Sequence, residues 1–138
     1  MSTRTRETSR AASEDTKSQI KAAAQMLFAR HGVDAVTVQQ IVSAAGQRNN
    51  AALHYHFGSK DELLADLFVS RTTVLNRERF AELKAAELEG NGRPSVEAIL
   101  RALVSPPLRW CLSPDQQRSA AARFMTRASV ETVPDRKS

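Results

Sequence analysis

The sequence predicts an all-α fold, and three observations lead to that class. Alanine and leucine fill long stretches of the 138-residue chain, whereas aromatic residues make up only 5% of it. The five glycines and five prolines lie mostly at the edges of those stretches. Apolar residues inside the stretches recur at spacings of three and four, as on a helix with one buried face. This combination favours helices over strands.

Composition and charge limit the class of protein. With 41% hydrophobic and 25% charged residues, the chain is expected to form a packed core. A net charge of +5 and a pI of about 10.0 permit binding to phosphate polyanions without proving it. The single cysteine, Cys111, cannot form an internal disulfide. Neither a membrane-length apolar run nor a secretory leader is found, so we expect a cytoplasmic protein.

The N-terminal part predicts an arm followed by a first helix. Residues 1–15 are polar, contain Arg4, Arg6 and Arg10, and lack apolar periodicity, so we expect a flexible basic arm. The first helix is predicted at residues 16–30, and Gly32 follows at a typical stop position. Its expected buried stripe consists of Ile20, Ala23, Ala24, Leu27 and Phe28.

Two short helices are predicted next. Thr37, with Gln40 three residues later, has the spacing of a capping box for a helix at residues 38–45. Asn49 is suited to cap a second helix at residues 50–56. The expected buried positions of the pair are Val38, Ile41, Val42, Ala45, Ala52, Leu53 and Phe57.

A long helix is predicted after the two short ones. Ser59 and Glu62 form a second capping-box pair at its start. The helix either runs to about residue 89 or breaks near residues 72–73. Its charged residues are expected on a solvated face: Glu78, Glu82, Lys84, Glu87 and Glu89.

Shorter helices are expected in the remainder. Residues 95–104 carry Val96, Ile99, Leu100 and Leu103 on one face, and Pro106 with Pro107 is expected to end this helix. Two further helical pieces are expected at residues 108–112 and 115–130, before a polar tail at residues 134–138. Trp110 and Cys111 are expected in the core.

The two short helices are typical of a helix-turn-helix DNA reader. Ala44, Ala45 and Gly46 are small, as a close helix crossing requires, and Leu27 and Phe28 complete the core. The turn then exposes Gln47, Arg48, Asn49 and Asn50, which suit base edges in a major groove. No acidic residue occurs from residue 35 to residue 60, which avoids repulsion from phosphates. On these observations alone, a purely structural three-helix bundle stays an equal alternative.

The local sequence resembles the TetR family of bacterial repressors from residue 20 to residue 67. The matching pieces are IKAAAQMLFARHGVDAVTVQQIVSAAG and LHYHFGSKDELL. The resemblance implies a homodimeric repressor that binds a palindromic operator in double-stranded DNA and is released by a small-molecule effector. It implies a DNA-binding domain at residues 16–60 and a helical ligand-binding and dimerisation region at residues 61–138.

The resemblance also implies roles for the matching residues. Phosphate contacts are expected from Thr37, Tyr55, His56 and Lys60. Base contacts are expected from Gln47, Arg48, Asn49, Asn50 and His54. One extra residue lies between Gly46 and Tyr55 compared with the common family spacing. It leaves open which of the turn residues face the groove.

The C-terminal half departs from the resemblance in length. About 80 residues follow Phe57, fewer than family members have, and the usual dimerising helix pair has no clear counterpart. A truncated chain and an unusually small effector domain are both consistent with this. If the chain dimerises, apolar faces near residues 96–103 and 107–122 are the candidates. The alternative function is an interaction module that binds DNA weakly or titrates a full-length relative.

Enzymatic and metal chemistry are not predicted. No catalytic Ser-His-Asp set, phosphate-binding glycine loop or paired carboxylates are found. His54 and His56 are two residues apart and diverge on a helix, and His31 lies elsewhere, so neither a metal nor another cofactor is expected.

Overall fold

The computed structural model describes residues 2–131, and within them the chain is helical with no strand. The predicted all-α class is confirmed. The elements are α1 (Ser2–His31), α2 (Val38–Ala44), α3 (Ala51–Phe57), α4 (Lys60–Glu89), α5 (Val96–Cys111) and α6 (Gln116–Glu131). Residue 1 of the expected arm and the expected polar tail lie outside the described residues.

The first helix begins much earlier than the sequence predicts. Helix α1 starts at Ser2, where a flexible arm was expected through residue 15. Residues 5–12 are exposed, so they add no apolar contact to the fold. Their helix extends from the packed part of α1, because adding a residue to an existing helix is far easier than nucleating one. The lack of apolar periodicity in these residues therefore correctly indicated that they do not pack against the core, but it did not exclude a helical backbone.

The core around α1, α2 and α3 follows the apolar pattern. The buried members of this N-terminal core include Ile20, Ala24, Phe28, Ile41, Val42, Leu53, Leu63 and Leu67. Leu63 and Leu67 belong to α4, which begins at the Ser59 cap, where the Ser59 hydroxyl accepts a hydrogen bond from the Glu62 amide at 3.1 Å. Helix α4 continues without a break through residues 72–73. The core thus fixes the start of α4 against the two short helices.

Helix α5 passes through two prolines, so the prediction that Pro106 and Pro107 end it is wrong. A proline inside a helix removes the donor for the carbonyl four residues earlier. For Pro107 that carbonyl belongs to Leu103, and it accepts a hydrogen bond from Nε of Arg79 at 3.2 Å instead. Pro106 is fully buried, and packing holds it in the helix. A side chain of α4 therefore satisfies the carbonyl that Pro107 leaves without a donor.

Helix α6 joins the N-terminal core. Phe124 of α6 stacks on Phe28 of α1, with ring centroids 6.0 Å apart. Ala120 and Ala128, one turn to either side, are also buried in this core. The long helices after α3 therefore do not form an independent unit, because α6 completes the core on which α2 and α3 rest.

A buried polar bridge links α1, α4 and α6. Gln25 of α1 is fully buried, and its Nε2 donates to the backbone oxygen of Gln117 at 3.0 Å and to its side-chain oxygen at 3.1 Å. The Gln25 side-chain oxygen accepts a hydrogen bond from Arg71 of α4. Burial lowers the pKa of Arg71. Because unpaired buried polar groups are costly, the bridge favours this one arrangement of the three helices.

A second, smaller core lies between α4, α5 and α6. Trp110 is buried there with Leu75, Ala121 and Ala122, as expected for the tryptophan. Its Nε1 donates to the Glu78 carboxylate at 3.1 and 3.2 Å, and Arg109 pairs with Glu82 at 2.5 Å. The expected solvated face is thus partly wrong, because Glu78 and Glu82 are half-buried partners of α5. Cys111 is exposed, contrary to the expectation that it lies in the core.

Candidate nucleic-acid interface

Helix α2 begins with the predicted capping box. The Thr37 hydroxyl accepts from the Gln40 amide at 3.2 Å, and the Gln40 side-chain oxygen accepts from the Thr37 amide at 2.8 Å. Two amides at the start of α2 are thereby satisfied by side chains. Thr37 is exposed, so the first turn of α2 is both ordered and open to solvent.

Thr37→Ala is expected to lower the free energy of unfolding by about 1 kcal/mol, because the variant loses the hydroxyl that caps α2. The melting temperature should fall by about 3 °C. Thr37→Ser keeps the hydroxyl and is the matched control, with stability near that of the unchanged protein. Equal stability of the alanine variant in chemical denaturation would show that the cap contributes nothing.

The turn between α2 and α3 depends on Gly46 for its backbone angle. Gly46 has φ of +73°, and a Cβ added there would meet nothing within 4 Å. A small residue was expected at this position to let the helices cross closely, and that reason is wrong. The left-handed φ is what glycine supplies here. It allows the Gln47 amide to donate to the Val42 carbonyl at 2.8 Å and close the helix end.

The predicted base readers in the turn differ in what they present to solvent. Arg48 is exposed, and Gln47 is half-buried. Asn50, not the predicted Asn49, is the N-cap residue of α3, and its side chain makes no capping hydrogen bond. The Asn49 side-chain oxygen accepts from the Ala51 amide at 2.7 Å, in the turn before the helix. Oδ1 of Asn50 is buried without a hydrogen-bond partner among the described residues. Arg48 is therefore exposed and, unlike Asn49, uses its side chain in no hydrogen bond within residues 2–131.

Helix α3 exposes one face along its length. Leu53 is fully buried, whereas Ala51, His54 and Tyr55 are exposed, and Tyr55 is 82% accessible. The sequence did not point to Ala51, because alanine carries no polar group to suggest a contact. Its place one turn before His54 and Tyr55 puts all three on the outward face. We call Ala51, His54 and Tyr55 the reader face.

His56 and Phe57 lie behind the reader face. Both are half-buried, and the His56 ring meets the Tyr55 ring edge-on with centroids 5.0 Å apart. The ammonium of Lys17 lies 5.8 Å from the centre of the Phe57 ring. His56 therefore packs against Tyr55 and is partly accessible to solvent.

Lys60 has an internal role that the sequence did not suggest. Its ammonium donates to the backbone carbonyls of Val33 at 2.8 Å and Val36 at 2.7 Å, in the segment between α1 and α2. The same segment is also bonded to α6, because the Glu131 carboxylate accepts a hydrogen bond from the Val33 amide at 3.0 Å. A lysine has three donors, so one N–H of Lys60 is left for another partner. The segment leading to Thr37 is thus held from α4 and from α6.

Two small cavities flank Arg79 between the later helices. One of about 200 Å³ is lined by residues of α4, α5 and α6, including Leu75, Trp110 and Met125. The other, of about 180 Å³, lies between α4 and α5. Arg79 lines both cavities and donates to Asn76 Oδ1 at 3.2 Å. The walls of both cavities are mostly apolar, and the Arg79 guanidinium is the cationic group that they share.

Residues 2–131 contain no group of three histidine, cysteine, aspartate or glutamate side chains placed to hold a metal ion. Among the helices of that range, none combines the length and the apolar character that crossing a bilayer requires.

Comparison with known proteins agrees with this geometry. The sequence model of the tetR family of bacterial regulatory proteins matches residues 20–67. Two crystal structures of a gamma-butyrolactone receptor, described as an ArpA-like protein, are 29% identical, with TM-scores of 0.66 and 0.67. The matched region is 88% of this chain in the first comparison and 91% in the second. It is 56% of the length of each receptor structure. CprB of S. coelicolor A3(2), described as a TetR family protein, is 29% identical with a TM-score of 0.65, over 91% of this chain and 55% of its own.

The chain therefore spans a little more than half the length of these solved structures. Comparison with curated proteins gave no match.

Fold and site together define a class, an all-helical protein with a helix-turn-helix whose second helix presents an exposed face. Within that class, residues 20–67 match the tetR family of bacterial regulatory proteins, and the fold is similar to those of the gamma-butyrolactone receptor and CprB. The resemblance that the sequence motifs suggested is thereby confirmed. This family consists of DNA-binding transcription regulators.

Proposed function

We propose that the chain is a transcription repressor that binds a palindromic operator in double-stranded DNA as a homodimer. The observation that carries the proposal is the reader face of α3, which stands exposed on a core buried by α1, α2, α4 and α6. A rigid helix with one free face is what a major groove about 12 Å wide admits. In this proposal residues 16–60 bind DNA in the cytoplasm, and residues 61–138 serve ligand binding and dimerisation.

The proposed contacts divide into two kinds. Thr37, Tyr55, His56 and Lys60 would contact phosphates and set the register of the protein on the duplex. Exposure of Tyr55 and of Thr37 at the start of α2 supports the assignment of these two residues. Arg48 and His54 are the best-supported base readers, whereas Gln47, Asn49 and Asn50 present only part of their polar groups.

Dimerisation is supported by exposed apolar residues on α5 and at its C-cap. Those more than 48% exposed are Val96, Leu100, Leu103, Val104, Leu108 and Leu112. Contiguous exposed apolar surface of this kind marks interaction sites. We propose that it contributes to pairing two copies, which a palindromic operator requires.

The cavities beside Arg79 support a small-molecule effector. Apolar walls with one cationic donor fit a small apolar molecule that carries a carbonyl or carboxylate. Two of the similar structures are named as gamma-butyrolactone receptors, and a lactone has this chemistry. Occupation of the cavity would favour an arrangement of α4 and α6 in which the paired reader faces no longer match the half-site spacing.

The second candidate is an interaction module that binds DNA weakly or titrates a full-length relative. It is favoured by the same exposed apolar residues of α5, if they pair with a longer relative instead of a second copy. Sedimentation at micromolar concentration separates the two candidates. A dimer supports the repressor, and a stable monomer supports the module.

The direct test is selection of bound sequences from random DNA, followed by affinity measurement at several salt concentrations. We expect a two-fold symmetric sequence that binds at least 1000-fold more tightly than random DNA. Tyr55→Phe, which removes only the exposed hydroxyl, should weaken binding to every sequence by a similar factor, because a phosphate contact carries no base information. Equal affinity for selected and random DNA would contradict specific regulation.

A further inference from the structure

We infer that His54 reads an exocyclic amino group, N6 of adenine or N4 of cytosine, through an imidazole nitrogen held as a hydrogen-bond acceptor. The inference rests on the proposed operator binding and goes beyond it, because it states which partner donates and which accepts the hydrogen bond in one base contact.

The tautomer of His54 follows from its partner. Nδ1 of His54 lies 2.8 Å from the backbone carbonyl of Gly58. A carbonyl oxygen only accepts hydrogen bonds, so Nδ1 carries the proton. In a neutral imidazole the other nitrogen, Nε2, is then unprotonated and accepts.

The end of α3 holds this arrangement in place. The Gly58 amide donates to the His54 carbonyl at 3.0 Å, while the Gly58 carbonyl accepts from the His54 ring. Gly58 has φ of +88°, a left-handed angle that ends the helix and is readily adopted by glycine. Backbone and ring are therefore bonded to the same residue, which restricts rotation of the imidazole.

The position of His54 leaves Nε2 open to a partner. The residue is exposed at the centre of the reader face, between Ala51, which has no polar group, and Tyr55. Among the exposed side chains of that face, His54 is the one with an acceptor fixed by an internal bond.

The chemistry of the major groove then determines the partner. Adenine and cytosine present amino donors there, whereas guanine presents the two acceptors N7 and O6, and thymine presents O4 and a methyl group. An acceptor at Nε2 is complementary to the amino groups and faces repulsion from N7 and O6 of guanine. His54 therefore favours adenine or cytosine and disfavours guanine at its position.

The experiment uses the full chain and the selected operator at pH 8.5. Each adenine or cytosine of a half-site is replaced, one at a time, by its analogue without the exocyclic amine. We expect one position at which the unchanged protein loses about 10-fold in affinity. His54→Ala should lose a similar factor on the natural operator and show no further loss with the analogue at that position.

Two further variants make the test specific. His31→Ala removes an exposed histidine outside the site and should keep the full dependence on the amine. His54→Lys replaces the acceptor with a donor and should shift the selected base toward guanine.

The outcomes are distinguishable. If no operator is selected, the proposed function fails and the inference falls with it. If an operator is selected but His54→Ala retains the amine dependence, or no position depends on an amine, the inference is wrong while the proposed function stands.

Discussion

Phe124→Ala is expected to lower the free energy of unfolding by about 3–5 kcal/mol, the range found when a buried phenylalanine is truncated. Phe124 is fully buried and stacks on Phe28 across the contact between α6 and α1. The variant loses that stacking and leaves a cavity in the core that supports α2 and α3. Chemical denaturation followed by circular dichroism measures the change.

The matched control for Phe124→Ala is Phe80→Ala in α4. Phe80 is 69% exposed, so the same truncation there should change the stability by no more than about 1 kcal/mol. Equal losses for the two variants would show that α6 does not belong to the N-terminal core. Because α6 completes this core, the Phe124 variant should also lose operator affinity at temperatures where the control is unaffected.

Lys60→Met is expected to reduce stability by about 2 kcal/mol, because the variant leaves two backbone carbonyls without a charged donor. Those carbonyls, of Val33 and Val36, lie in the segment that leads to the start of α2. Methionine retains most of the apolar part of the lysine side chain, so the loss of stability measures mainly the contribution of the ammonium group. Urea denaturation gives the stability change.

Lys60→Met should also weaken binding to all DNA sequences and reduce the dependence of log affinity on log salt by about one unit, if the third N–H contacts a phosphate. Lys84→Met, an exposed lysine of the same helix, is the control for lost charge alone. If the variant is less stable but the salt dependence of its DNA affinity is unchanged, Lys60 serves only to bond the two carbonyls and does not contact a phosphate. Unchanged stability would contradict the two carbonyl bonds.

The contacts of Lys60 and Glu131 join the segment before α2 to two of the later helices. The Val33 carbonyl accepts a hydrogen bond from Lys60 of α4, and the Val33 amide donates one to Glu131 of α6. Both helices also line the cavity beside Arg79 and Trp110. The segment before α2 is therefore tied by one hydrogen bond to each of these two helices.

Local signals in the sequence determined most of the N-terminal part. The apolar period placed Ile20, Phe28 and Leu53 in the core, and the Thr37–Gln40 spacing identified the capping box. These features are set by neighbours three or four residues away, which is why they are readable from the chain alone. The same density of local motifs supported the family resemblance.

Tertiary structure decided what local patterns do not contain. Helix α5 continues through Pro106 and Pro107 with help from Arg79, a residue 24 positions from the carbonyl that it satisfies. The partners of Lys60 lie 24 and 27 positions away, and Glu131 bonds Val33 across 98. Hydrogen bonds between distant segments arise only when helices pack, so the sequence determined the local elements around α2 and α3, and packing determined how their side chains are held.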